Sequence, residues 1–176
     1  MKARKFNGFV MPWVNEEWAA KVLGLIHNKH NGIDLIGRCV MEVKFSLSHY
    51  PAKWTVLEYQ MDYQELYPGK NAYWGIGTYT LSVPVSKIKT KDPTELEKLV
   101  TKRELRVVPW GWMAQFPPHK TSGQTDKSEW ENTLRYPRGR LIPRTTISYE
   151  VEKGIVHLTE DVDKNDFLFL EDGIPI

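Results

Sequence analysis

Cysteine is nearly absent. The 176-residue chain holds one, Cys39, which excludes an intramolecular disulfide and a cysteine-based zinc site. No apolar run is long enough to span a bilayer, and residues 1–14 are basic and then apolar without the h-region of a secretory signal. No membrane partner is expected, and a cytoplasmic protein is the default. Strong charge of either sign is missing too. The formal net charge is +2, so the field of the whole molecule is weak, and any grip on nucleic acid has to come from local clustering. There is no P-loop, no dinucleotide-binding glycine fingerprint and no Gly-x-Ser-x-Gly elbow. Internal repeats and low-complexity tracts are missing as well.

What remains is an ordinary globular composition. Apolar content of 41% and charged content of 26% argue against wholesale disorder, and 176 residues suffice for one domain with a core. Seven Trp and eight Tyr point mainly to core positions, with Tyr and Trp also suited to interfaces.

The order of elements follows from periodicity and punctuation. Asn15 is a good N-cap, followed by Glu16 and Glu17, with Trp18, Ala19, Val22, Leu25 and Ile26 on one helical face. His27 to Gly32 is polar and ends that helix; His27 and His30 there suit its C-terminal dipole. Two short apolar strands follow, joined at Gly37-Arg38, the second running to about Leu47. Lys53 to Leu66 reads as a helix stopped by Pro68-Gly69, and Ala72 to Val85 as a long buried strand. Asp92-Pro93-Thr94-Glu95 starts a helix to about Lys102, and Leu105 to Trp112 is another strand. Residues 113–144 form a long polar loop, and Thr145–Val151 with Ile155–Leu158 a hairpin before the tail. The expected fold is α/β: a single domain with a mixed central β-sheet flanked by helices over about residues 15–112, then the basic loop, then a C-terminal β-rich extension over 145–176.

The hairpin carries the chemistry. Side chains alternate along a strand, so Glu42 and Lys44 share a face. Pairing Ile33–Ile36 with Val40–Val43 puts Asp34 beside Glu42. Two carboxylates and an ammonium on one sheet edge suit a hard divalent cation with a water beside it, which is apparatus for phosphodiester hydrolysis. The alternative is a solvated Glu–Lys face worth about 0–1 kcal/mol. The apolar flanks weigh against it, because they draw the charges toward a covered sheet where charge is costly unless paired or metal-bound.

The sequence Gly32-Ile33-Asp34, then Glu42-Val43-Lys44, between a preceding helix and a following helix and strand, resembles the PD-(D/E)XK nuclease superfamily over about residues 15–85. The proline that names the motif is absent. The resemblance implies a restriction endonuclease-like core and a Mg²⁺-dependent deoxyribonuclease, with Mn²⁺ able to substitute. Asp34 and Glu42 would bind the metal together with the backbone carbonyl near Val43, and Lys44 would position or activate the attacking water. It also implies an acid in the preceding helix, Glu17 or Glu16, and, as in some branches, a glutamine after the lysine strand, for which Gln60 stands. One such site cuts one strand, so double-strand cutting would need a homodimer.

Arg135, Arg138, Arg140 and Arg144, with Trp130, Tyr136 and Lys120 nearby, make a basic stretch with no acid between Arg135 and Arg144. Arginine suits phosphate contacts, so this loop is the expected DNA clamp. A rival reading is a non-catalytic nucleic-acid-binding or partner-binding protein using the same surfaces. A third is a 2H-type phosphoesterase, because His119-Lys120-Thr121 and His157-Leu158-Thr159 are two His-x-Thr tripeptides. Their spacing is shorter than duplicated halves require, and His119 follows Pro117-Pro118 in apparent loop sequence. Cys39, at a strand start, reads as a small buried residue rather than a nucleophile.

Overall fold

The computed structural model describes residues 10–30, 32–49, 53–120, 130–135 and 146–167, with the side chains of Lys53, Thr133 and Arg135 left aside. Helix α1 (Val10–Leu23) leads into strands β1 (Ile26–His27), β2 (Leu35–Ile36), β3 (Val40–Leu47) and β4 (Lys53–Leu57). A 3₁₀ helix, Glu58–Leu66, precedes β5 (Ala72–Leu81), α2 (Pro93–Leu99) and β6 (Val100–Pro109). A later 3₁₀ segment, Trp110–Gln115, leads to β7 (Pro118–His119), β8 (Glu131–Arg135), β9 (Ile147–Val151) and β10 (Gly154–Leu158).

Seven strands form one sheet in the order β1-β2-β3-β5-β6-β10-β9, and β4, β8 and β7 form a second of three. The large sheet is mixed: β3 with β5 and β6 with β10 are parallel, the other pairs antiparallel. The hairpin read as a C-terminal extension lengthens this central sheet.

The alternation of β3 divides the core. Met41 and Val43 face α1, where Trp18, Ala19, Val22 and Leu23 pack with Leu105, Val107, Val156 and Leu158. Val40 faces the opposite layer, with Trp74, Ile76 and Val108 of the sheet against Trp54 and Val56 of β4 and Leu134 of β8. Trp74 and Trp110 stack there at 4.1 Å between ring centroids. Both faces being covered, β3 is buried through its first four residues.

The parallel β3–β5 pair requires a crossover, since a tight hairpin cannot join parallel strands. That crossover holds β4 and the first 3₁₀ helix, and lies on the Val40 face. Here the expected helix over 53–66 is corrected. The β-branched and aromatic run Trp54-Thr55-Val56 pairs with β8 as a strand, and only Glu58–Leu66 turns helically.

Three further boundaries move. Asn15 is a buried mid-helix residue rather than an N-cap; α1 already includes Val10, and Arg103 Nε donates to Asn15 Oδ1 at 2.9 Å. The helix ends at Leu23, with Gly24 at a φ of 66°, so His27 stands on β1 and not at a helix terminus. Asp92 caps α2 as expected, accepting from the Thr94 and Glu95 amides, but the helix stops at Leu99 and β6 begins at once. Part of the expected loop is strand: β7 and β8 build the small sheet on β4.

Candidate active site

The short strand β2 sets the register. Leu35 pairs with Met41 and Ile36 with Val40, which carries Asp34 opposite Glu42, as the hairpin reading requires. Asp34 Oδ2 accepts the Val43 amide at 2.8 Å. The N–H and C=O of one strand residue leave the same edge, so the Val43 carbonyl points to the Asp34 side of β3 as well. Glu42 and Lys44 share a face, and Lys44 Nζ stands 2.6 Å from Glu42 Oε1. From the crossover, Gln60 Nε2 donates to the same oxygen at 3.0 Å, while Gln60 Oε1 accepts the Leu57 amide at 2.9 Å. Asp34, Glu42, Val43, Lys44 and Gln60, all named from the sequence, therefore converge.

Glu42 is only 2% exposed, and its Oε2 is buried without a hydrogen-bond partner. Burial and the neighbouring Asp34 push its carboxyl up to about 8 against the pull of Lys44. Burial also raises Asp34, with Lys44 and the Val43 amide opposing. Burial works against the charge of Lys44, but Glu42 and Asp34 outweigh it and hold the ammonium above its ordinary value. The negative charge of Asp34 opposes ionisation of Glu42.

The helix acid that approaches this cluster is Glu16. Its carboxyl is raised by burial and then by Asp34, and its Oε2 lies 2.9 Å from His27 Nε2. Glu17 instead turns outward, accepting from Trp13 Nε1 at 2.9 Å and lying 3.8 Å from Lys29. The side chain that orients Glu16, His27, was missed from sequence. Nothing local to His27 signals the pairing, which arises because the chain turns at Gly24 and β1 brings His27 back to α1.

The other named residues lie elsewhere. Lys120 is exposed just after β7, Arg135 lies on β8, and Arg138, Arg140 and Arg144 fall outside the described residues. His119 is exposed on the small sheet, whereas His157 is buried in the large one with Ser148 Oγ 2.8 Å from its Nδ1. The two histidines of the third reading thus stand in different sheets. Cys39 is buried, and its thiol is pushed up to about 12 by burial and Asp166, the state of an inert core cysteine.

Among the described residues, no three of His, Cys, Asp and Glu gather into a metal cage. The donors at the site are the adjacent Asp34 and Glu42 carboxylates, the unpartnered Glu42 Oε2 and the Val43 main-chain oxygen. All are hard oxygens, and Mg²⁺ is commonly held by one or two carboxylates plus substrate phosphate rather than by a full protein cage. The donor set fits such an ion. In comparison with known proteins, no family model, curated protein or solved structure matches this chain.

Proposed function

We propose that the protein is a metal-dependent endonuclease that hydrolyses phosphodiester bonds in DNA, with a restriction endonuclease-like core of the PD-(D/E)XK type. The observation that carries this reading is Glu42: a buried carboxylate with one oxygen engaged by Lys44 and Gln60 and the other orphaned beside Asp34. Burying an acid in this way is costly unless a cation completes it. The arrangement of α1 behind the sheet, β2 and β3 with the acids and lysine, and β5 parallel to β3 supports the core assignment.

Asp34, Glu42 and the Val43 carbonyl would hold Mg²⁺ or Mn²⁺. A divalent cation there supplies charge that acidifies water and offsets the charge building on the phosphate oxygens. The chain's own residues do the rest. The Val43 amide and Gln60 fix the two carboxylates. Lys44, 22% exposed, is the site's own ammonium with access to solvent, placed to orient water or a phosphate oxygen. Glu16, held by His27, adds a carboxylate with raised proton affinity near Lys44 and Asp34. The test is nicking of supercoiled plasmid in Mg²⁺, in Mn²⁺ and in chelator. Cation-dependent nicking that Glu42→Gln abolishes is expected. Salt-sensitive DNA binding with no cutting in either metal would replace the enzyme by a binding protein.

A further inference from the structure

Beyond Met41, the edge of β3 that faces β2 has no strand partner among the described residues. A cavity of about 360 Å³ opens along it, bordered by Val43 and Lys44 of the candidate site and by Phe45. Asn15 of α1 stands on one side, Trp54 and Thr55 of β4 on the other, with Tyr79 behind. The volume lies within the range of about 300–1,000 Å³ typical of small-ligand sites.

The walls combine two properties. Phe45 and Tyr79 supply half-buried aromatic surface, while Trp54, 2% exposed, only closes the β4 side. Hydrogen-bonding groups of both signs stand between them. Phe45 lies two residues beyond Val43, so its N–H and C=O leave the strand from the same edge. Thr55 adds a hydroxyl. Asn15, 1% exposed and with its Oδ1 taken by Arg103, closes the α1 side, and Glu16 next to it brings a carboxylate to the rim. A planar heterocycle with donors and acceptors on its rim matches aromatic walls with such a rim between them. The cavity starts at Lys44, so a group covalently next to a phosphate at the Asp34–Glu42 edge reaches it directly.

We propose that this cavity receives the nucleobase flanking the scissile phosphate, and hence that the protein cuts DNA where that nucleotide is unpaired. The inference rests on the nuclease reading. A base stacked and paired in a continuous duplex cannot enter a recess beside the strand edge without leaving the stack, and that step costs least in single-stranded DNA. Binding energy from the seated base also fixes the phosphate against the site.

The experiment compares Mg²⁺-dependent cleavage of a single-stranded oligonucleotide with cleavage of the same strand annealed to its complement. Wild type, Thr55→Trp and Tyr79→Leu are assayed side by side. Thr55→Trp fills the cavity from β4; Tyr79→Leu removes an aromatic wall while keeping apolar bulk, and serves if thermal melting shows the first variant unfolded. Wild type is expected to cut the single strand at least tenfold more efficiently. Each variant is expected to lose about tenfold on it, mainly in KM, with Mn²⁺ affinity unchanged. Duplex cutting as good as single-strand cutting, or variants with wild-type KM, would overturn the base pocket and leave the nuclease standing. No cation-dependent cutting of either substrate would overturn both.

Discussion

Gln60 ties its own helix to Glu42: its Nε2 donates to Glu42 Oε1 at 3.0 Å and its Oε1 accepts the Leu57 amide at 2.9 Å. One side chain therefore fixes the crossover and the carboxylate proposed to bind metal together. Gln60→Leu removes both bonds. Groups that orient metal ligands typically contribute 10–100-fold in affinity, so Mn²⁺ binding by calorimetry should weaken by about that factor. Thermal stability should fall by about 1–3 kcal/mol, since the Leu57 amide loses its acceptor. Unchanged Mn²⁺ affinity would show that Glu42 is held without Gln60.

Glu42→Gln separates stability from activity. The substitution is nearly isosteric and removes a charge buried beside Asp34. Cation-dependent nicking should disappear, while the midpoint of thermal unfolding in chelator at about pH 8 should hold or rise. A mutant that cuts like wild type would dismiss Glu42 from the site.

The pH dependence of the metal-free protein follows from the same carboxyl. Glu42 titrates at about 8 in the folded state against an ordinary 4.5, so between these values the folded protein keeps a proton that the unfolded chain releases. Stability then falls as pH rises through that window. Asp34 and Glu16, both raised, act in the same sense. His157 is lowered, mainly by burial, and acts in the opposite sense near its ordinary value of 6.5. Melting in chelator from about pH 5 to about pH 8 should show a decline that Glu42→Gln flattens. Mn²⁺ at about pH 8 should restore wild type and leave the mutant unchanged. A wild-type curve that rises to pH 8 in chelator would contradict the raised Glu42 carboxyl.

Lys44→Ala should reduce the single-turnover cleavage rate by about 10²-fold or more while DNA affinity measured in Ca²⁺ changes little. A group that acts on the attacking water works in the transition state, whereas a phosphate contact shows in affinity. Equal losses in both would reassign Lys44 to phosphate binding.

The hairpin was legible because its information is local. Alternation and a short turn place Asp34, Glu42 and Lys44 without reference to the rest of the chain. Asp92 and Pro93 were legible for the same reason, since a cap is written in adjacent residues. The crossover was not. Trp54, Leu57 and Met61 can be read at helical spacing, but pairing with β8, some eighty residues on, decides that Lys53–Leu57 is strand. The choice between Glu16 and Glu17 was likewise non-local, because His27 on β1 comes within 2.9 Å of Glu16 Oε2 but only within 3.8 Å of Glu17 Oε1. Asn15 has the propensity of a capping residue, but its hydrogen bond from Arg103, 88 residues on, holds it in the core.

The position of β10 has a consequence for how the chain is made. β6 is an interior strand of the large sheet, yet its second neighbour is residues 154–158, pairing in parallel with 103–107. While a ribosome is still adding the intervening segment, the β10-facing edge of β6 stays open, and Leu105 and Val107 lack Val156 and Leu158 above them. An open apolar strand edge is a template for other chains. Fragments that stop before Gly154 are therefore expected to collect in the insoluble fraction, whereas the chain carried through Phe167 closes that edge with its own strand.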